Sequence, residues 1–388
     1  MLSRRSLLAG ATGLGATALV GMAGTGAHAA EPAARPRRIP RTLARRRTGI
    51  ASRTRTDAAE FTLTHLSVAT TAAAAVRLRD RSGWGDWLPL DSCAAGRDDR
   101  PATAVRRGLL VAPDVTGYEV QTSDGSPATV TELNTVDGPA GPVAAAATDR
   151  MPPETGRRGR GARSRRRDCP VPAYLSRAAW GADESLRFDA GGNELWVPAY
   201  YPVQTLTVHH TGVYEHNDDP DPAATVRAIY HTDTVYDGYG DIGYHLLVDE
   251  AGRVYEGRVS GADGLPVFGP APSPDGRPQM SNGAHVGQFN AGNVGVVLLG
   301  RFTARQPTPA ARDSLVKVLA LLSYVCELDA AGRTRYVNPV NNLAGVTDVI
   351  SGHRDWAALG AGATECPGDA FHPTLASVRR DVADLLGR

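Results

Sequence analysis

The 388-residue chain reads as an α/β domain with a mixed central β-sheet flanked by helices, preceded by a small all-β domain. Two observations carry this. From about residue 170 onward short apolar strands alternate with helix starts, the pattern of a sheet covered by helices. Over residues 58–138 short strands alternate with turns and no helical period intervenes. A third observation sets the limits of each unit, because arginine-rich stretches at 30–57 and 157–167 offer too few apolar residues to build a core.

Taken in order, Met1 to Ala29 reads as a targeting segment. Arg4 and Arg5 form a twin-arginine pair, a weakly apolar Gly/Ala/Thr stretch follows, and Ala27 and Ala29 are small residues at the cleavage positions. Its glycines and threonines make it a poor membrane span, so export with cleavage after Ala29 is expected. Residues 30–57 carry Arg35, Arg37, Arg38, Arg41, Arg45, Arg46, Arg47, Arg53 and Arg55 and are expected to be a disordered basic linker. A second linker is expected at 141–168. Both could contact nucleic acid by charge alone, but no aromatics are interleaved for base stacking. The reading preferred is a solvated linker able to adhere to anionic wall polymers or membrane surfaces. Net charge is +1, so the whole chain is not a polycation.

Between the linkers, the all-β domain is placed at 58–140. Its strands are read at Phe61, Ala75, Gly108 and Gly117, with Asp124-Gly125 and Ser82-Gly83 as turns. Trp84 and Trp87 suit either an aromatic platform for sugar rings or packing of their own core, and packing is favoured. In the C-terminal domain, placed at 169–388, a strand over Val203–Val208 ends at two histidines. Asp221 caps a helix with Pro222 at its first position, reaching about Tyr236. A hairpin turns at Ala251-Gly252, and Val294–Leu299 reads as a buried central strand. Thr308-Pro309 opens the longest helix, to about Leu328, and Pro373–Leu386 forms the last.

Three distant segments then read as one zinc site: Val208–Thr211 with two histidines, Gly352–Asp355 with His353, and Thr364–Gly368 with Cys366. Three protein ligands suit a catalytic zinc, whose fourth position stays open. No zinc-finger spacing is present, so folding must assemble the site. Taken singly, each segment also fits a structural role. The histidine pair fits a core, and Cys366 a buried thiol in a turn.

The order of these segments resembles the peptidoglycan recognition protein family, the type 2 N-acetylmuramoyl-L-alanine amidases, of a secreted bacterial kind. The resemblance spans roughly 170–388 and rests on collinear stretches: Leu175–Asp183, Val208–Gly212, Asp241–Val248, Val254–Arg258, Gly283–Val286, Asn293–Gly300, Gly352–Asp355 and Cys366–Asp369. It implies His209, His353 and Cys366 as zinc ligands, Tyr244 as the catalytic tyrosine, and Thr364 as the donor to the oxyanion. It also implies His210, His231 and His285 as substrate contacts in a groove on one sheet face. Helix packing for His231 and a loop hydrogen bond for His285 are the structural alternatives. The reaction implied is zinc-dependent hydrolysis of the amide between N-acetylmuramic acid and L-alanine, with the peptidoglycan stem as partner. A non-catalytic peptidoglycan-binding module and a zinc hydrolase of another amide are the competing readings, and the retained Cys366 and Tyr244 favour catalysis. The family also implies a Cys169–Cys326 disulfide, leaving Cys93 single. The Pro/Gly-rich stretch Phe268–Asn282 departs from the family pattern, so stem-peptide preference is not readable.

Overall fold

The computed structural model describes residues 38–58, 60–91, 95–101, 104–142, 172–212, 219–261 and 266–388. The targeting segment, most of the second linker, Cys93 and Cys169 lie outside the described residues. Among the described residues no helix is long and apolar enough to cross a membrane.

The N-terminal unit begins earlier than expected. Its strands are β1 (Arg38–Pro40), β2 (Leu43–Ile50), β3 (Arg55–Asp57), β4 (Leu63–Thr70), β5 (Ala74–Arg79), β6 (Leu88–Pro89), β7 (Arg106–Val115), β8 (Gly117–Thr122), β9 (Ala128–Asn134) and β10 (Ala140–Pro142). Two antiparallel four-stranded sheets form, β2-β9-β4-β7 and β3-β8-β5-β6, while β10 pairs back to β1. One apolar cluster, with Leu66, Val68 and Val130 from the first sheet and Val76, Tyr118 and Val120 from the second, joins them as a sandwich.

The expectation of a disordered linker at 30–57 is therefore corrected over 38–57. Alternation along β2 turns Arg45 and Arg47 onto the fully buried Glu132, with Arg47 Nε 2.6 Å from its carboxylate and the Tyr118 hydroxyl donating at 2.9 Å. Arg55 and Arg77 do the same for Glu119. A basic run thus becomes an edge strand because a buried acid on the partner strand neutralises it. Trp84 and Trp87 are half-buried with the Arg77 guanidinium 4.9 Å from each ring. They pack on their own domain.

The C-terminal domain holds β11 (Tyr174–Leu175), α1 (Arg177–Trp180), β12 (Tyr200–Pro202), β13 (Thr205–His210), α2 (Pro222–His231), β14 (Leu246–Val248), β15 (Val254–Glu256), β16 (Gln279–Ser281), β17 (Asn293–Leu298), α3 (Pro309–Val325), β18 (Arg333–Val337), β19 (Ala344–Asp348), β20 (Ile350–Gly352) and α4 (Leu375–Leu385). Its six-stranded sheet runs β11-β15-β14-β17-β13-β20, and only the β14–β15 hairpin is antiparallel. Asp221 caps α2 through the Ala224 N–H and Thr308 caps α3 through the Ala311 N–H, each followed by proline, as the sequence implies.

The sheet is buried on both faces. One carries Leu206, Val208, Val296 and Leu298 against α3 and α4. The other carries Leu247, Val297 and Leu299 against α1 and α2. Leu109 and Leu133 of the sandwich join this second cluster, so the two domains share apolar contact. The stretch Phe268–Asn282 includes β16, which pairs with β12. Cys326 ends α3 as a free thiol enclosed in the core, where burial pushes its pKa up. Of the expected Cys169–Cys326 bridge, Cys169 lies outside the described residues and Cys326 carries a free thiol in this structure.

Candidate metal centre and groove

Parallel neighbours bring the first two donors together. Strand β13 lies between β17 and β20, and the register pairs Val208 with Gly352. His209 at the end of β13 and His353 just beyond β20 therefore stand side by side, rings 4.6 Å apart. This is the carboxyl end of parallel strands, where open α/β sheets place their sites. Cys366 arrives on the loop ahead of α4. Its carbonyl accepts the Arg354 N–H, and Gly368 lies so close to the Phe302 backbone that a Cβ would meet it at 2.3 Å. Only glycine lets that loop seat the thiol.

The donor atoms of His209, His353 and Cys366 all lie within 4.8 Å of one another, and all three residues are buried. Both ring nitrogens of His353 are buried with no hydrogen-bond partner among the described residues. An imidazole left so is costly unless something else satisfies it. The Cys366 Sγ accepts the His210 N–H at 3.3 Å and stands 3.7 Å from His209 Nδ1. Two neutral imidazoles and a sulfur within bonding span of a common point fit zinc.

The tautomer of His209 follows from its neighbours. The Asn293 carbonyl must accept from His285 Nε2–H at 2.9 Å, which leaves His285 Nδ1 as an acceptor. His209 Nε2–H donates to it, also at 2.9 Å, so His209 presents the Nδ1 lone pair toward the thiol. Burial, then His353 and His285, hold the His209 pKa well below its ordinary value and keep the ring neutral. Gly295 makes the stack possible, since a Cβ there would lie 2.6 Å from the His285 ring.

His285 is therefore corrected. It is fully buried beneath His209 with both nitrogens engaged, and it does not contact a groove. The loop hydrogen-bond alternative is the nearer one, but the partner is the candidate metal donor His209, which sequence reasoning missed. His210 is likewise fully buried, on the opposite face of β13 from His209. Its Nδ1 accepts the Phe302 N–H, and Nε2 stands 3.6 Å from the Asp91 carboxylate of the N-terminal domain. The expectation that it lines a groove is corrected too. His231 ends α2 against Tyr236, rings 5.5 Å apart, with burial lowering its pKa to about 4. It packs behind the tyrosine and does not line the cavity described next.

Tyr244 lies beside the donor set, its ring edge-on to His209 at 5.3 Å. It faces a cavity of about 460 Å³ that also reaches Thr211, Asp233, Tyr236, Arg107 and Arg46. The Thr364 oxygen accepts the Cys366 N–H at 3.1 Å, beside a second cavity of about 320 Å³ shared with Val68 and Asp91. The loop bearing Tyr244 is braced below. Asp241 is fully buried between Arg177 and Arg258, and although burial alone would raise its pKa, these two cations hold it below the ordinary value. Arg258 in turn stacks on Trp196 at 3.9 Å.

The N-terminal domain clamps onto this site. Asp91 pairs with Arg301 at 2.8 Å. Asp98 accepts from the N–H groups of Asn290 and Ala291 and from the side-chain amides of Asn290 and Asn338, at 2.7–3.1 Å. His65 bonds the Thr225 hydroxyl of α2 at 3.0 Å. No sequence motif announced these contacts.

Comparison with known proteins agrees with the geometry. Residues 199–369 match the N-acetylmuramoyl-L-alanine amidase family model. A human N-acetylmuramoyl-L-alanine amidase is 32% identical over 208 residues, 53% of this chain and 28% of that protein. A porcine counterpart is 30% identical over 27% of its length. The chain thus spans less than a third of these two relatives. Peptidoglycan-recognition protein SC2 of Drosophila melanogaster is 30% identical over 50% of this chain and 79% of that protein. Among solved structures, Drosophila peptidoglycan recognition protein LB aligns at 23% identity and TM-score 0.37, over 53% of this chain and 92% of its own. Recognition protein SD aligns at 25% and 0.36, over 53% and 94%. These relatives are animal proteins, so the expectation of a bacterial member is not borne out. The chain belongs to the peptidoglycan recognition protein and N-acetylmuramoyl-L-alanine amidase family.

Proposed function

We propose that this protein is an exported zinc amidase that cleaves the amide joining N-acetylmuramic acid to L-alanine in peptidoglycan. The observation that carries the reading is the buried His209–His353–Cys366 set, with His353 otherwise unpartnered among the described residues, beside a tyrosine that opens onto a cavity. Family membership supplies the substrate class. His209, His353 and Cys366 would hold the zinc, which when bound acidifies water and polarises the scissile carbonyl.

The chain's own groups do the rest. His285 fixes the His209 tautomer and ring. Tyr244, with its phenol at the cavity, orients the attacking water and handles its proton. The Thr364 hydroxyl donates to the developing oxyanion. Burial of the donor set keeps bulk water away and strengthens each of these interactions. Retention of both Cys366 and Tyr244 supports catalysis over mere binding.

The test is mass spectrometry of muropeptides incubated with the protein. Release of intact stem peptide from the sugar is expected, and loss of that release with a chelator or in Cys366→Ser. Muropeptide binding without cleavage in zinc-loaded wild type would reduce the protein to a recognition module.

A further inference from the structure

We propose that the substrate groove is built by two domains, and that Arg46 of the β-sandwich recognises a free carboxylate of the stem peptide. This rests on the amidase reading above and extends it to a residue outside the family match. The match begins at residue 199.

The cavity beside Tyr244 has two walls. The amidase side presents Thr232, Asp233 and Tyr236, and the sandwich side presents Arg46, Thr70 and Arg107. The Tyr244 ring that lines this cavity also packs on His209, so a chain occupying the cavity enters directly from the cleavage point. The sandwich wall is held in place by the Asp91, Asp98 and His65 contacts.

Charge selects the occupant. Arg107 is spent on Asp237, Nε to Oδ1 at 2.6 Å. Asp233 accepts the Gly243 N–H, and burial, then Asp237, push its carboxyl well up toward the neutral form. Asp91, which also lines the cavity, is paired with Arg301, so the wall's acids are neutralised while Arg46 has no carboxylate partner among the described residues. Strand alternation explains this: Arg45 and Arg47 turn to Glu132, and Arg46 turns the other way. Its guanidinium lies over the Tyr236 ring, 5.7 Å from the centroid. A stacked guanidinium keeps its edge for bidentate bonding to a planar anion. Free carboxylates belong to the stem peptide. The muramoyl carboxyl is consumed in the scissile amide, so the glycan offers none.

Two muropeptides differing only in a stem carboxylate and its carboxamide test this in the zinc-loaded full chain. Wild type is expected to favour the carboxylate by about tenfold in kcat/KM, the size of one partly exposed charge-assisted bond. In Arg46→Ala and Arg46→Gln that ratio should collapse toward one through KM, and Arg46→Lys should keep part of it. Unchanged discrimination in Arg46→Ala overturns the proposal. So does faster cleavage of both substrates, which would make the sandwich a cover over the site. If wild type cleaves neither peptide, the amidase reading fails on its own account, and calorimetric binding of the same pair still decides Arg46. Unfolding midpoints of the variants guard against misfolding.

Discussion

His285→Leu is the most informative perturbation of the centre, because it leaves every proposed zinc donor in place. The histidine joins the His209 Nε2–H to the Asn293 carbonyl through two bonds of 2.9 Å in a fully buried stack. Leucine nearly fills the volume but strands one buried donor and one buried acceptor. Each costs roughly 1–3 kcal/mol, so the metal-free protein should lose about 2–6 kcal/mol in urea unfolding. The more specific effect falls on the metal. Without an acceptor at Nε2, His209 is free to take the other tautomer and protonate Nδ1, the atom facing Cys366. Loss of such an orienting partner weakens metal affinity about 10–100-fold.

The assay is zinc affinity by chelator competition on wild type, His285→Leu and His285→Gln. Glutamine can accept from His209 through its carbonyl and donate to Asn293 through its amide, so it should recover most of the affinity. If His285→Leu is less stable yet binds zinc as tightly as wild type, His285 is packing alone and the tautomer argument is wrong.

Tyr244→Phe should retain zinc and muropeptide affinity while turnover falls by roughly a hundredfold or more; a rise in dissociation constant with kcat intact would make Tyr244 a binding residue. Stability should decline as pH falls below about 6.5, because unfolded His65 and His231 take up protons that burial denies them in the fold, where their pKa values are about 3 and about 4. Each lowered pKa means stability fully present above the unfolded value and lost on acidification, with a slope approaching about 1.4 kcal/mol per pH unit per histidine; urea midpoints from pH 7 to 4.5 measure it, and His65→Gln should flatten the curve. Asp98→Ala strands donors of Asn290, Ala291 and Asn338 and should speed hydrogen exchange at the Ala291 amide, with about 2–3 kcal/mol lost in stability. Unaltered exchange there would show that Asp98 does not contribute to holding the domains together.

The candidate metal donors were legible in the sequence because each sits where a strand or turn must end. His209 closes an apolar run, His353 follows a short strand, and Cys366 precedes Pro367 and Gly368. Helix starts were legible for the same local reason, with Asp221-Pro222 and Thr308-Pro309 making the caps that the structure shows. What failed were judgements about direction. His210, His231 and His285 are all read into the groove, but where each ring points is set by the partners packed on β13, on α2 and on the loop at 285. The pairing of His285 with His209 depends on the absence of a side chain at Gly295, on another strand.

The linker expectation over 38–57 failed for a deeper reason. Disorder was inferred at Arg45–Arg47 from charge without apolar residues, and that inference treats each charge as facing water. Glu132 lies 85 residues beyond Arg47 and is fully buried, so the pair was invisible until β2 met β9. Asp98 and Asn290, 192 residues apart, pose the same difficulty: Asp98 reads as an ordinary solvated acid in a basic context until the fold offers it a cradle of N–H groups. Polar surfaces that recognise each other carry no periodicity, since their partner is specified by shape and not by spacing. The family resemblance starts near residue 170 and so assigns the groove to one domain. The sandwich residues that share the cavity with Tyr244 argue that the site's boundary and the family's boundary do not coincide.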